Sequence, residues 1–318
     1  MAKKAAPKPL WKKVLTGTGY VLFCAFALGI GTIAGWIAKS PVLSAGLKQT
    51  ITNRPPREVF GKDAFTMLVL GCDENRAPGG AKVTTAAARS DMMLAVRVDL
   101  VNGEVTGISI PRDTLWRVPG YSEQKINAYH SIGGKELAKR AVEGLLGVPI
   151  DRVAVINYES FQHMVDMVGG IELDVEKRMK KTDRRGDLYI DLQPGLQRLN
   201  GYDAMCYVRY RGDSDFHRQE RQRAFVLKFK EAVLSRPQMI NEIATESVNL
   251  LGGELSPDEM AALARFAQSV QNEDIRMGMV PVNEAANYNL RVDEDKLPDV
   301  LAEFHFVPQH YTSRLVRS

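Results

Sequence analysis

Five arginines and no lysine fall between Arg209 and Arg223, within the run YVRYRGDSDFHRQERQR that starts at Tyr207. A guanidinium is planar, permanently charged and presents a fork of N–H groups that grips phosphate oxygens in pairs, which an ammonium cannot do. Two carboxylates, Asp213 and Asp215, sit inside the same run. Residue types and density together point to the handling of phosphate.

The elements around this run decide where its charges aim. Asn200 is a good N-cap for a short helix ending near Val208. The exit Arg209-Tyr210-Arg211, read as extended, sends both arginines to one side. A longer helix is expected from about Asp215 to Leu234, before Pro237. At 100° per residue its core-facing stripe is Phe225, Phe229, Ala232 and Val233, with Arg218 and Gln222 in the middle of that stripe. Arg221 falls at the edge of the stripe and Arg223 on the opposite face. Polar groups on an inward stripe near a helix N-terminus need a partner, and an anion is favoured there. The competing reading is an internal carboxylate for Arg218, such as Asp91.

Other charges stand at the ends of apolar runs. Asp73 follows FTMLVL (Phe65–Leu70), Arg89-Ser90-Asp91 precedes Met92–Val98, and Pro111-Arg112-Asp113 follows Val105–Ile110, with Lys125-Ile126-Asn127 beyond. These runs read as buried strands, as do Arg152–Ile156 and Ile171–Val175. Lys135–Leu146 and Tyr158–Val168 read as helices, the first closed by Gly147 and the second by Gly169-Gly170. Beyond Pro237, helices near 238–250, 256–271 and 296–304 and a strand near 275–280 complete the alternation. Strand ends of open α/β sheets are where ligands gather.

From Val14 to Ala38 no residue is charged, and Lys3, Lys4, Lys8, Lys12 and Lys13 precede that stretch. It is long enough to span a bilayer core, which takes about 20 apolar residues. The lysine flank places the N-terminus in the cytoplasm and the rest outside. The expected organisation is a basic tail (1–13), a transmembrane helix (14–38), a Pro-containing linker (39–62) and one extracytoplasmic domain (63–318). The expected fold is a three-layer α/β/α domain with a mixed central sheet, preceded by that helix. The tail lysines account for the positive net charge of +4. The body is close to neutral, which argues against nucleic acid as a partner. Cys72 and Cys206, the two cysteines beyond the span, read as unpaired and buried.

Taken in order, LVLGCD, RSDMML, SIPRDT, KINAYHSIGG, VDMVGGIELDV, LQRLNGYDAMCYVRYR and DFHRQERQ resemble the LytR-CpsA-Psr family over roughly residues 63–236. That resemblance implies a membrane-anchored phosphotransferase. Such an enzyme moves a glycopolymer from a polyprenyl-pyrophosphate carrier onto peptidoglycan and leaves a phosphodiester, with the lipid tail in an apolar channel. It implies that Arg89, Arg112, Arg209, Arg211, Arg218 and Gln222 hold the diphosphate, with Lys125 as a further point charge, and that Asp73 and Asp91 ligate Mg²⁺. Oxygen donors completed by water and substrate phosphate suit that ion. Asp215 aligns best with a general base, and Asp213 is the alternative, because only Gly212-Asp213-Ser214 separate the YRYR-like exit from the helix start.

A second basic cluster, Lys177-Arg178-Met179-Lys180-Lys181 with Arg184-Arg185, lies outside these motifs. It reads as a solvated face, or as a surface for an anionic glycopolymer or lipid headgroup. Three rival functions remain at this level. A hydrolase would use the same arginines and metal with water as nucleophile, a membrane-tethered regulator would bind nucleic acid, and a lipid-binding scaffold would show no turnover.

Overall fold

The computed structural model describes residues 44–48, 52, 54–72, 89–183, 188–210, 212, 215–236, 243 and 255–306. The basic tail, the expected span at 14–38 and most of the expected helix at 238–250 lie outside them. No helix among the described residues is long and apolar enough to cross a membrane.

The sheet expected from the apolar runs is present and mixed. Its strands are β1 (Ala64–Cys72), β2 (Ser90–Asp99), β3 (Glu104–Ser109), β6 (Arg152–Asn157) and β11 (Ile275–Met279), in the order β11-β3-β2-β1-β6. β2 runs antiparallel to β1 and β3, whereas β1–β6 and β3–β11 are parallel. The C-terminal ends of β1, β3 and β6 therefore meet at one edge, beside the start of β2.

Strand alternation sends residues to two separate cores. Leu68, Leu70, Met93, Ala95 and Ile108 pack under α2 (Ala128–Leu146) and α7 (Leu297–Glu303). On the other face, Phe65, Met67, Val96, Val98 and Val105 pack with Val226 and Leu227 of α5 (Asp215–Leu234) and Phe266 of α6 (Pro257–Ser269). The long regular part of α2 begins after Gly134, where non-helical angles at Gly133 and Gly134 break the element, and it ends at a left-handed Gly147. A Ser256–Glu259 capping box opens α6.

Part of the stretch read as linker packs on the domain. Ala45 is buried against Ala261 and Met260. Phe60, the last residue of α1 (Pro56–Phe60), stacks on Phe65 with ring centroids 4.6 Å apart.

A second apolar cluster lies beside the sheet. It joins α3 (Tyr158–Met167), α4 (Gly201–Arg209), the inner face of α5, and strands β7 (Ile171–Val175), β8 (Met179–Asp183), β9 (Leu188–Leu192) and β10 (Gly195–Leu199). Asn157 and Asn200 cap α3 and α4 by accepting from the amides of Ser160 and Asp203. Gly201 is required where α4 meets α3, since a Cβ there would stand 2.3 Å from the Gln162 carbonyl oxygen. Its amide donates to Asp166 at 2.7 Å, fixing the start of the helix that ends in Arg209. The β8–β9 hairpin, β10, the short pair β4 (Leu115–Trp116) and β5 (Gln124–Lys125), and the pair β12 (Val282–Ala285) and β13 (Asn289–Val292) were not legible as strands in the sequence.

Candidate active site

A cavity of about 180 Å³ opens where the two clusters meet, at the C-terminal edge of the sheet. The sheet contributes Gly71 of β1, Met92 and Met93 of β2, Ser109 to Arg112 beyond β3, and Ile156 and Asn157 of β6. The opposite wall is Tyr158 and Phe161 of α3, Lys181 and Ile190 of the hairpin, Met205, Val208 and Arg209 of α4, and Arg218 and Gln222 of α5. The described lining thus holds four cations, no carboxylate, and an otherwise mostly apolar surface. That combination takes an anionic head joined to an apolar chain.

Arg112 leaves the end of β3 after the buried Ile110 and Pro111. Its Nε donates to Asp113 at 3.4 Å, and Lys125 on β5 donates to the other Asp113 oxygen at 2.7 Å. Burial works to raise the Asp113 pKa. The hydrogen bond from Lys125 and the charges of Arg112 and Lys125 outweigh it and hold the carboxyl below the usual carboxylate range. Asp113 therefore stays ionised and ties Lys125 to Arg112, while Lys125 itself is absent from the cavity wall.

Arg209 is not on an extended exit, as the sequence suggested. It is the last residue of α4, and the chain becomes extended only at Tyr210 (φ −56°, ψ 130°). The helical end lays its guanidinium 4.1 Å from the centroid of the Tyr158 ring. Stacking uses the flat face of a guanidinium and phosphate binding its N–H edge, so the two are compatible.

Arg218 and Gln222, one helical turn apart, both face the cavity, as the inward stripe of α5 predicts. Arg221 is a correction to the sequence reading, which left it at the edge of that stripe. Its side chain is 1% exposed, donates to Glu176 at 3.1 Å and to the Tyr210 carbonyl at 2.9 Å, and lies over the Tyr210 ring. The wheel counted only the apolar residues of one helix. The pocket for Arg221 is built by Tyr210 and Glu176, 11 and 45 residues away in sequence. Arg223 is exposed and donates to the Ile275 carbonyl at 3.2 Å.

The remaining expected site residues divide in two. Arg89 is exposed just before β2 and is not part of the cavity wall. Asp91 occupies the second position of β2, beside Met92. Asp215 opens α5. The side chains of Asp91 and Asp215, and the whole of Asp73, Arg211 and Asp213, lie outside the described residues. No cluster of three or more acidic, histidine or cysteine side chains that could hold a metal occurs among the described residues. Asp91 thus stands at the start of β2, at the sheet edge that also presents Arg112.

Two residues at the site escaped the sequence. Lys181 was read with a solvated basic cluster, yet it lines the cavity. Tyr158 was read only as a helix start, yet it carries Arg209. Alternation of Met179 and Lys181 was the available signal for the first, but it spans too few residues to declare a strand. Cys72 and Cys206 are buried thiols not joined in a disulfide, as expected. The Cys72 Sγ lies 3.6 Å from Nδ1 of the buried His130.

The mixed α/β domain carries an arginine-rich, half-apolar cavity at its sheet edge, a lining of the kind that suits an amphiphilic phosphate. The chain belongs to the LytR_cpsA_psr family, whose model matches residues 43–304. It is 29% identical over 320 residues to TagT of Bacillus subtilis (strain 168), a polyisoprenyl-teichoic acid–peptidoglycan teichoic acid transferase, covering 95% of each chain. Among solved structures it resembles B. subtilis TagV at 26% identity and a TM-score of 0.61, covering 77% of this chain and 96% of that one. It also resembles TagT with bound octaprenyl pyrophosphate lipid, at 25% identity and a TM-score of 0.56, covering 77% and 90%.

Proposed function

We propose that this protein transfers a glycopolymer from a polyprenyl-pyrophosphate carrier to peptidoglycan. The observation that carries this reading is the cavity itself, where Arg112, Arg209 and Arg218 stand against walls of methionine, isoleucine, valine and aromatic side chains. A lipid diphosphate has the matching two halves, and a TagT structure holds one.

The chemistry follows from charge. Arg112, Arg209 and Arg218, with Gln222 as a neutral donor, hold the diphosphate, and Arg89, Arg211 and Lys125 are the further groups proposed to contribute charge to it. An acceptor sugar hydroxyl attacks the phosphorus bonded to the glycopolymer. The new P–O bond forms as the bridging P–O bond breaks, and the carrier leaves as lipid monophosphate. The hydroxyl proton passes to a carboxylate at the start of α5, Asp215 or its neighbour Asp213. The arginines stabilise charge that grows on the bridging and non-bridging oxygens. Asp73 and Asp91 are the proposed holders of Mg²⁺, which when bound neutralises diphosphate charge. Residues 14–38 are the proposed membrane anchor, with the domain outside the cytoplasm.

Purified full-length protein, a lipid-linked donor and peptidoglycan fragments provide the test. The expected product is glycan joined to peptidoglycan by a phosphodiester. If only free phosphorylated glycan and lipid phosphate accumulate, the protein is a hydrolase. A topology reporter fused after Ser318 is expected to be active on the outer side, and cytoplasmic activity overturns the anchored orientation.

A further inference from the structure

We infer that Lys181, on the β8–β9 hairpin, is a donor-binding residue that holds phosphate oxygens at the mouth of the cavity. The inference rests on the proposed function, since it concerns the anion occupying that site.

The hairpin's register fixes the direction of Lys181. Side chains alternate across a strand, so Met179 and Lys181 share a face, whereas Lys180 takes the other. Met179 is fully buried in the second apolar cluster. Ile190, the register partner of Lys181 on β9, is also buried and also lines the cavity. A one-residue slip would expel Met179 and Ile190 into water, so the register, and with it the aim of Lys181, is held by apolar burial.

The charges nearby divide unequally. Arg178 is engaged by Asp191 through both carboxylate oxygens at 3.1 Å. Lys181 has no hydrogen-bond or ion-pair partner among the described residues and is exposed, so its ammonium sits at the mouth while its strand position faces inward. The other three cations of the cavity come from the sheet edge, α4 and α5. Lys181 supplies the side they leave open. The described wall contributes four positive groups and no carboxylate, a composition that suits a multiply charged anion.

Phosphate oxygens could come from the donor's diphosphate or from anionic bilayer lipid, and the experiment separates these sources. The full chain in neutral detergent is titrated with farnesyl diphosphate and, in a second arm, with phosphatidylglycerol. Lys181→Ala is expected to weaken farnesyl diphosphate binding about tenfold or more and to flatten its salt dependence. Lys181→Arg keeps binding close to wild type, and Lys180→Ala, on the opposite face, leaves it unchanged. In the phosphatidylglycerol arm, Lys181→Ala and Lys180→Ala behave alike. Equal farnesyl diphosphate affinities for Lys181→Ala and Lys180→Ala overturn the inference alone. A selective loss of phosphatidylglycerol binding in Lys181→Ala assigns the residue to membrane lipid and overturns it as well. Absence of farnesyl diphosphate binding by the wild-type protein overturns both the inference and the proposed function.

Discussion

Two segments of this chain are dense in positive charge, the first half of α5 and strand β8, and both divide that charge in the same way. On α5, Arg218 enters the cavity while Arg221, three residues later, is locked against Glu176 and the Tyr210 carbonyl. At β8, Lys181 faces the cavity while Arg178, just before the strand, is held by Asp191. One basic residue in each segment meets the ligand space and another fastens the scaffold. On α5 the partners Glu176 and Tyr210 sort them, and on the hairpin the strand period of two does. Charge density therefore marks where to look, and the packing around each element decides which residue acts.

The largest expected effect tests the division on α5. Arg218→Ala lowers kcat by about 10²–10³-fold, the cost of losing one transition-state charge contact (~2.7–4 kcal/mol). Turnover of lipid-linked donor measures it, and near wild-type activity breaks the assignment. Arg221→Met has the opposite profile. Losing two charge-assisted hydrogen bonds at a buried position costs about 1–3 kcal/mol of stability, seen as a lower urea midpoint. Glu176 is 43% exposed and stays hydrated without its partner, which keeps the cost below that of stranding a fully buried charge. At a temperature where the variant remains folded it retains far more activity than Arg218→Ala. Equal kinetic losses in the two variants remove the distinction between them.

A smaller effect sharpens the contact between hairpin and helix. Cys206 of α4 lies 3.9 Å from the Tyr189 carbonyl of β9. Burial, with a smaller contribution from the Asp203 charge, pushes its thiol up to about 11 from an ordinary 9.0. Its folded-state pKa is raised, so this contribution is fully present below pH 9 and is lost as the pH climbs through 11. Neighbouring Tyr207, raised by burial and by Glu176 to about 12, extends the loss to still higher pH. Urea midpoints measured at pH 8 and pH 10 are expected to fall for the wild type, and to fall less for Cys206→Ala. An identical fall in both places the alkaline sensitivity elsewhere.

The smallest effects belong to the surface. Arg178→Ala removes an ion pair whose partners are about half exposed, and stability changes by about 0–1 kcal/mol. Arg223→Ala leaves turnover near wild type. A large loss in either variant, by melting or by turnover, would show that the exposed members of these two segments are part of the site.

Read from the sequence alone, the period of α5 was decisive for Arg218 and Gln222, because a 20-residue helix supplies enough turns to define a face. Strands β1, β2, β3 and β6 were legible because burial on both faces leaves continuous apolar runs. Residue types at their ends were legible as well, which marks Arg112 as a strand-end charge, while its diphosphate role is what the family resemblance implies. The helical end at Arg209, the locked Arg221 and the inward Lys181 were not. Each depends on a partner distant in sequence: Tyr158 for Arg209, Glu176 for Arg221, and Ile190 with the buried Met179 for Lys181. The sequence by itself determined the long helices, the buried sheet strands and which residue types could bind phosphate, since these follow from local periodicity and side-chain chemistry. Only the tertiary structure decided which cations share one cavity, because pairing and register are fixed by burial across the fold rather than by neighbours along the chain.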